Sequence, residues 1–262
     1  MKPHDLRIAA VPPGAVPGAL SPEQAWQHLQ QAASAHYRSG GRFAWHFARG
    51  KLGRDPVFRA LVAGGTIAPG SRVLDIGCGQ ALLASLLAEC HALAAANRWP
   101  AAWGAPPSGA SYTGIELMSA DVARAELALK QLPSPPRLVC ADMRSMTFDP
   151  CDVVVVLDVL HYVDLHAQDK LLARIAAALR PGGRLLLRVG DPQQGVRFRV
   201  TRWVDRLVTR LRGHAAPPTW NRSLPEWRAA LQEFGFSVRE QPMSQGTPFA
   251  NVLLVCDLPR VS

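Results

Sequence analysis

Between Val73 and Gly79 the chain reads Val-Leu-Asp-Ile-Gly-Cys-Gly, a short apolar run that breaks into two glycines around Cys78. Glycines placed between a strand and a helix let a ligand approach the backbone, because no Cβ stands in the way. Taken alone, such a turn is also an ordinary tight connection. Three later carboxylates add chemistry to it. Glu116 follows the run Ser111 to Ile115, where its two oxygens suit the paired hydroxyls of a ribose. Asp142, in Cys140-Ala141-Asp142-Met143, suits the exocyclic amine of an adenine, and Asp158 follows the valine-rich run Asp152 to Leu157. Singly, Asp75 also reads as a loop cap, Asp142 as the start of a turn and Glu116 as a surface acid. His161, just past Asp158, joins His46 and Tyr37 as candidates for chemistry on a second substrate, where a base is needed only if that substrate must lose a proton.

These residues need elements to hold them. Val73 to Ile76, Ser111 to Ile115, Arg137 to Cys140, Asp152 to Leu157 and Arg184 to Val189 read as strands. Helical patterns separate them, over Ala81 to Ala96, Ala120 to Lys130 and Gln168 to Leu179, the last stopped by Pro181-Gly182-Gly183. Ser21-Pro22-Glu23 opens a helix toward His36, Pro56 to Val62 forms another, and Pro225 to Phe234 a further one. Phe236 to Arg239 and Asn251 to Cys256 suit an antiparallel edge. The alternation predicts an α/β fold, a mostly parallel sheet with helices on both faces and a ligand beyond the carboxyl ends of the strands.

The ordered segments Val73–Gly79, Gly114-Ile115-Glu116, Ala141-Asp142-Met143 and Leu179-Arg180-Pro181-Gly182-Gly183-Arg184-Leu185 resemble the motifs of class I S-adenosylmethionine-dependent methyltransferases, over about residues 45 to 256. The resemblance implies a Rossmann-like, seven-stranded sheet whose last strand is antiparallel, and transfer of a methyl group to a small-molecule acceptor. It also implies that Asp75, Gly77, Cys78 and Gly79 surround the methionine part of the cofactor. Glu116 and Leu117 would meet the ribose side, Asp142 and Met143 the adenine, and Asp158 the methionine amino group. The segment from Tyr37 to Lys51 would form an N-terminal helical lid, with Tyr37 and Lys51 among the cofactor contacts. A fainter similarity, over Tyr37 to Phe58 and residues 246–251, is to methyltransferases of bacterial fatty-acid-like and polyketide clusters, which implies an acyl-like acceptor.

Two departures stand out. Asp75 and Glu116 lie about twice as far apart as the ~20 residues expected, with residues 97–110 as an insertion loop. Gln80 and Ala81 replace the glycine often found after Gly79. The predicted organisation is a flexible tail over 1–20 and one domain over 21–262, with a helical cap over 21–65 and a basic acceptor-side insert over 190–222. Within that insert, residues 196–212 read as a basic amphipathic helix, suited to an acidic carrier protein or a membrane surface.

Charge and cysteines narrow the classes. The formal charge is +9 and almost wholly arginine-borne, since the lysines are Lys2, Lys51, Lys130 and Lys170. An RNA methyltransferase is the nearest rival, but no base-methylation tetrapeptide occurs at Leu157–Leu160, so nucleic acid is not the expected partner. A nicotinamide-dependent oxidoreductase would want a third glycine where Leu82 stands, and a non-catalytic cofactor-binding protein is a further class. The five cysteines are scattered without a C-x-x-C pair, so neither zinc nor a disulfide framework is expected. No secretory signal is read in the first residues, and the expected location is the cytoplasm.

Overall fold

Val153 to Val156 form an unbroken valine run, and a strand of that kind needs apolar cover on both faces. It lies at the centre of the sheet in the computed structural model, which describes residues 18–190, 219–243 and 251–260. The strands are β1 (Arg72–Ile76), β2 (Ser111–Glu116), β3 (Arg137–Cys140), β4 (Cys151–Leu157), β5 (Leu179–Gly190), β6 (Ser237–Pro242) and β7 (Asn251–Asp257). They form one seven-stranded sheet in the order β3-β2-β1-β4-β5-β7-β6. Strands β1 to β5 pair in parallel, whereas β7 runs antiparallel between β5 and β6. The order reverses between β1 and β4, and the ligand crevice of open α/β sheets lies beyond the carboxyl ends of the strands at such a switch point.

Side chains alternate between the two faces. Val73, Val153, Val155, Leu186 and Leu253 pack under the helices α1 (Pro22–Ala35), α2 (Arg42–Arg54), α3 (Pro56–Ala63), α4 (Leu82–Ala95) and α5 (Ser119–Leu129). Leu74, Ile76, Val154, Val156, Leu187 and Leu254 pack under α6 (Leu165–Ala178) and α7 (Leu224–Glu233). Each fully buried Val or Leu contributes about 1.5–3 kcal/mol relative to exposure. The sheet is therefore a rigid platform for its loops. Local caps start the helices where the sequence places them. Ser21 and Gln24 form a capping box on α1, Ser223 and Glu226 another on α7, and Asp164 accepts from Ala167 N–H on α6.

Residues 97–110 fold at the amino edge of the sheet, away from the crevice. Gly70 N–H donates to Ser108 C=O at 2.9 Å and Gly104 N–H to Ala63 C=O at 2.9 Å. The loop braces itself with Trp99, whose indole N–H donates to Gly104 C=O at 2.9 Å and whose ring meets Trp103 edge-on. At this end the extra length leaves Glu116 at the carboxyl edge. The N-terminal segment docks on the same loop, with Leu20 N–H donating to Arg98 C=O.

Some boundaries differ from the sequence reading. β5 begins at Leu179 and carries Pro181-Gly182-Gly183 within it, because Leu179 already pairs with Cys151 before the register shifts. Gly182 sits at φ +75 in this bulge. Most of the predicted tail and the whole predicted basic helix over 196–212 lie outside the described residues. Among the described residues no helix is long and apolar enough to cross a membrane.

Candidate active site

The turn after β1 lies against the end of β2. Gly77 and Cys78 N–H both donate to Ile115 C=O, at 2.8 and 3.1 Å. Gly77 has φ +73, and a Cβ there would stand 2.4 Å from Val159 Cγ1, so only glycine fits. Gly79 also lies in the left-handed region, at φ +56, yet no described atom comes within 4 Å of where its Cβ would stand. The two glycines do different jobs: the first admits Val159, the second keeps an open approach to the backbone.

Glu116 ties this turn to β2. Its Oε2 accepts from Gly79 N–H at 2.9 Å and its Oε1 from Met118 N–H at 2.8 Å. A carboxylate has about four acceptor sites, so both oxygens still have capacity for ribose hydroxyls. Leu117 beside it is 62 % exposed, an apolar surface at the mouth of the crevice. Ala141 N–H donates to Glu116 C=O at 3.0 Å, which brings Asp142 and Met143 next to Glu116. Asp142 is gripped by Arg144 through its backbone N–H, Nε and Nη2, and these bonds hold its carboxyl below the usual range.

Below the turn, Asp75 is buried, and its Oδ2 accepts from the Tyr112 hydroxyl at 2.6 Å. Burial pushes its pKa up to about 7; the Tyr112 hydrogen bond works against this and the nearby Glu116 charge with it. Cys78 points down toward Gly114, where a Cβ would meet its Sγ at 2.7 Å, and burial raises the thiol so that it stays protonated. Cys78 therefore offers a ligand its backbone rather than a nucleophile. Tyr37 reaches the turn from behind: it is fully buried and its hydroxyl donates to Gln80 C=O at 2.7 Å. That geometry makes it a brace for the turn.

Asp158 ends β4 with φ +58, and its carboxylate accepts from Arg188 Nε at 2.9 Å and from Nη2. Arg188 is 2 % exposed and also donates through Nη1 to Asp55 Oδ1 at 2.5 Å. Lys51 completes the group, with Nζ 2.8 Å from Asp55 Oδ2. Burial favours a neutral Asp55, but Arg188 and Lys51 hold its carboxyl well below the usual range. The two carboxylates likewise keep Arg188 charged against the cost of its burial. Lys51 thus faces a carboxylate of its own chain rather than standing alone over the crevice.

His161 follows in a short 3-10 turn (Leu160–Tyr162); its ring lies 4.0 Å from that of Tyr162 and its backbone carbonyl accepts from Trp220 N–H at 2.9 Å. It borders a small cavity beyond β4 and β5, with Arg188, Gly190, Trp220 and Trp227. His46 is on the exposed side of α2. The structure thus brings Asp75, Gly77, Cys78, Gly79, Glu116, Leu117, Asp142 and Met143 to one edge, with Asp158 and His161 across the switch point. Tyr112, Asp55 and Arg188 were not singled out from sequence, and Gln80 only as a departure from the glycine pattern. Arg188 carried a signal, a charge inside Leu185-Leu186-Leu187-Arg188-Val189 that requires a buried partner.

Comparison with known proteins agrees with this architecture. The chain is 32 % identical over 128 residues to a carboxy-S-adenosyl-L-methionine synthase of Shewanella amazonensis, covering 48 % of this chain and 47 % of that protein. It is 30 % identical over 151 residues to a trans-aconitate 2-methyltransferase of Delftia acidovorans, covering 56 % of this chain and 48 % of that protein. These matches span about half the length of the curated relatives. Among solved structures, the magnesium protoporphyrin IX methyltransferase of Synechocystis PCC 6803 with bound SAH superposes with a TM-score of 0.54 at 20 % identity, covering 90 % of this chain and 99 % of that one. An O-methyltransferase family protein of Burkholderia thailandensis gives a TM-score of 0.58 at 17 % identity, covering 92 % and 72 %. At these identities the structures share the fold. A family model described as a methyltransferase domain matches residues 44–241, from α2 through β6, and the chain belongs to that family.

Proposed function

We propose that this protein is an S-adenosylmethionine-dependent methyltransferase acting on a small, negatively charged acceptor. The observation that carries the cofactor reading is the open backbone at Gly79, held by Glu116 and flanked by exposed Leu117 and half-buried Asp142. The donor set fits the cofactor part by part. Glu116 would hold the ribose, Asp142 with Met143 the adenine, and the turn from Asp75 to Gly79 with the Asp158 end of β4 the methionine. The bound cofactor supplies an electrophilic methyl group on a sulfonium. The chain's own work is then orientation and exclusion of water. His161 stands where an acceptor would arrive and serves as a base only for a nucleophile that must lose a proton.

A negatively charged acceptor is suited by α2, which carries Arg42, Arg49 and Arg54 beside the Asp55-paired Lys51, and no acid. Arg38 and Arg49 flank the Trp45 ring at 5.5 and 5.7 Å. One relative is named for trans-aconitate, a carboxylate, which agrees with an anionic acceptor here. The sequence over 196–212 is also basic, which suits an acidic carrier protein or a membrane surface as the place where the acceptor is presented. Five free thiols suit the cytoplasm.

Thermal shift with S-adenosylhomocysteine, NAD and NADP tests the cofactor. Stabilisation by S-adenosylhomocysteine alone is expected, since Leu82, buried in α4, stands where a dinucleotide site would want glycine. Stabilisation by NAD alone would overturn the reading. Transfer of label from the methyl-labelled cofactor into a pool of small carboxylates then identifies the acceptor.

A further inference from the structure

A buried arginine in the middle of a sheet needs a reason beyond packing, because a hydrocarbon side chain of the same size would cost nothing in desolvation. Arg188 has three contacts that point in two directions. Through Nε and Nη2 it holds the carboxylate of Asp158, and its backbone carbonyl accepts from Asp158 N–H at 3.3 Å. Asp158 is thus pinned by main chain and side chain together in a left-handed conformation, φ +58, which aspartate tolerates better than most side chains. The bend delivers the next residue, Val159, onto Gly77, at the spot where a Cβ would stand 2.4 Å from Val159 Cγ1.

In the other direction Arg188 Nη1 reaches Asp55 Oδ1 at 2.5 Å. That same oxygen caps α3 by accepting from Val57 N–H at 3.2 Å, and the second oxygen takes Lys51 Nζ at 2.8 Å. Asp55 is the corner between α2 and α3. A continuous chain of contacts therefore runs from the helical cap through Asp55, Arg188, Asp158 and Val159 to the floor of the glycine turn. Its charges, Lys51, Asp55, Arg188 and Asp158, sum to zero, so no member can leave without stranding another.

We propose that Arg188 is a positioning residue that couples the seating of the α2–α3 corner to the shape of the Gly77–Gly79 turn, so that cap docking and cofactor binding are linked. The inference rests on the assignment of that turn to S-adenosylmethionine. Coupling of this kind is reciprocal: whatever factor the seated cap adds to cofactor affinity, the cofactor must add to cap seating. A purely structural ion cluster has no such obligation.

Asp55→Asn tests it in the full-length chain, since asparagine still caps α3 while the charge that engages Arg188 is gone. Calorimetry with S-adenosylhomocysteine should show binding weakened about tenfold, within the usual span of such couplings. Hydrogen exchange at the amides of residues 52–55 and of Val57 should slow by a similar factor when S-adenosylhomocysteine binds the parent, and should not respond in Asp55→Asn. Arg188→Lys, which keeps the charge and loses the fork, should fall between the two. An Asp55→Asn protein that unfolds more easily yet binds S-adenosylhomocysteine like the parent would overturn the coupling, as would an exchange pattern at these amides indifferent to the ligand in the parent. Failure of the parent itself to bind S-adenosylhomocysteine is a separate result, and it would remove the cofactor assignment along with the coupling built on it.

Discussion

Two alanine substitutions one residue apart from Cys78 separate the fold's demands from the ligand's. Both Gly77 and Gly79 have positive φ, +73 and +56, so alanine at either carries a left-handed backbone penalty of about 1–2 kcal/mol. Both changes also remove glycine's freedom in the unfolded chain, which returns about 0.4–1 kcal/mol. At Gly79 nothing described lies within 4 Å of the new Cβ, so the net loss of stability should be roughly 0–1.6 kcal/mol. At Gly77 the new methyl lands 2.4 Å from Val159 Cγ1 and 2.9 Å from its Cγ2. Relieving that overlap in a packed site adds roughly 1–3 kcal/mol, for a total of roughly 1–5 kcal/mol, always above the loss at Gly79. Urea denaturation measures both losses, and calorimetry with S-adenosylhomocysteine reads the second axis. Gly79→Ala should stay close to the parent in stability while losing at least tenfold in affinity, because its methyl occupies the ligand's approach. Equal stability losses at the two positions would refute the role given to Val159. Parent-like affinity in Gly79→Ala would refute the role given to the open space.

Two further outcomes follow from the carboxylates. Asp75, at about 7 in the folded protein, keeps its proton across a range where the unfolded chain, near 4, has released it, so rising pH removes stability between about 4 and 7, by up to about 4 kcal/mol. Asp75→Asn still accepts from Tyr112 and should flatten that slope in urea denaturation from pH 4 to 8; parallel profiles would clear the carboxyl of responsibility. Asp142→Ala should weaken S-adenosylhomocysteine by roughly tenfold, the scale of a hydrogen bond to a charged group. The same variant should lose the parent's preference over the inosine analogue, which lacks the amine, and a preference that survives would place the adenine elsewhere.

The sheet was readable because its signals are local. The valine run of β4 and the proline and acid after Ser21 each act within a few positions. Glu116 could be proposed despite the long interval after Asp75, and the structure shows why the interval is harmless: residues 97–110 fold at the amino edge. The parts that stayed hidden depend on contacts between distant segments. Nothing near Tyr37 in the sequence says that its hydroxyl will find Gln80, 43 residues away, from inside the core. Asp55 and Arg188, 133 residues apart, meet only when the cap lies on the sheet. Arg188 alone announced itself, as a charge in an apolar strand, but its partners could not be named without the topology.

The position of β7 also bears on how the chain is made. It follows β6 in sequence yet lies between β5 and β6, so neither strand can join its final partner until Asn251–Asp257 has been synthesised. Until then the outer edge of β5 presents unpaired backbone beside Leu185, Leu186 and Leu187, all fully buried in the finished fold. An open apolar edge of that kind is a template for another chain. On the ribosome, the interval between emergence of β5 and arrival of β7 is the period of greatest exposure to misassembly, and a chaperone that shields nascent chains would act on this protein there.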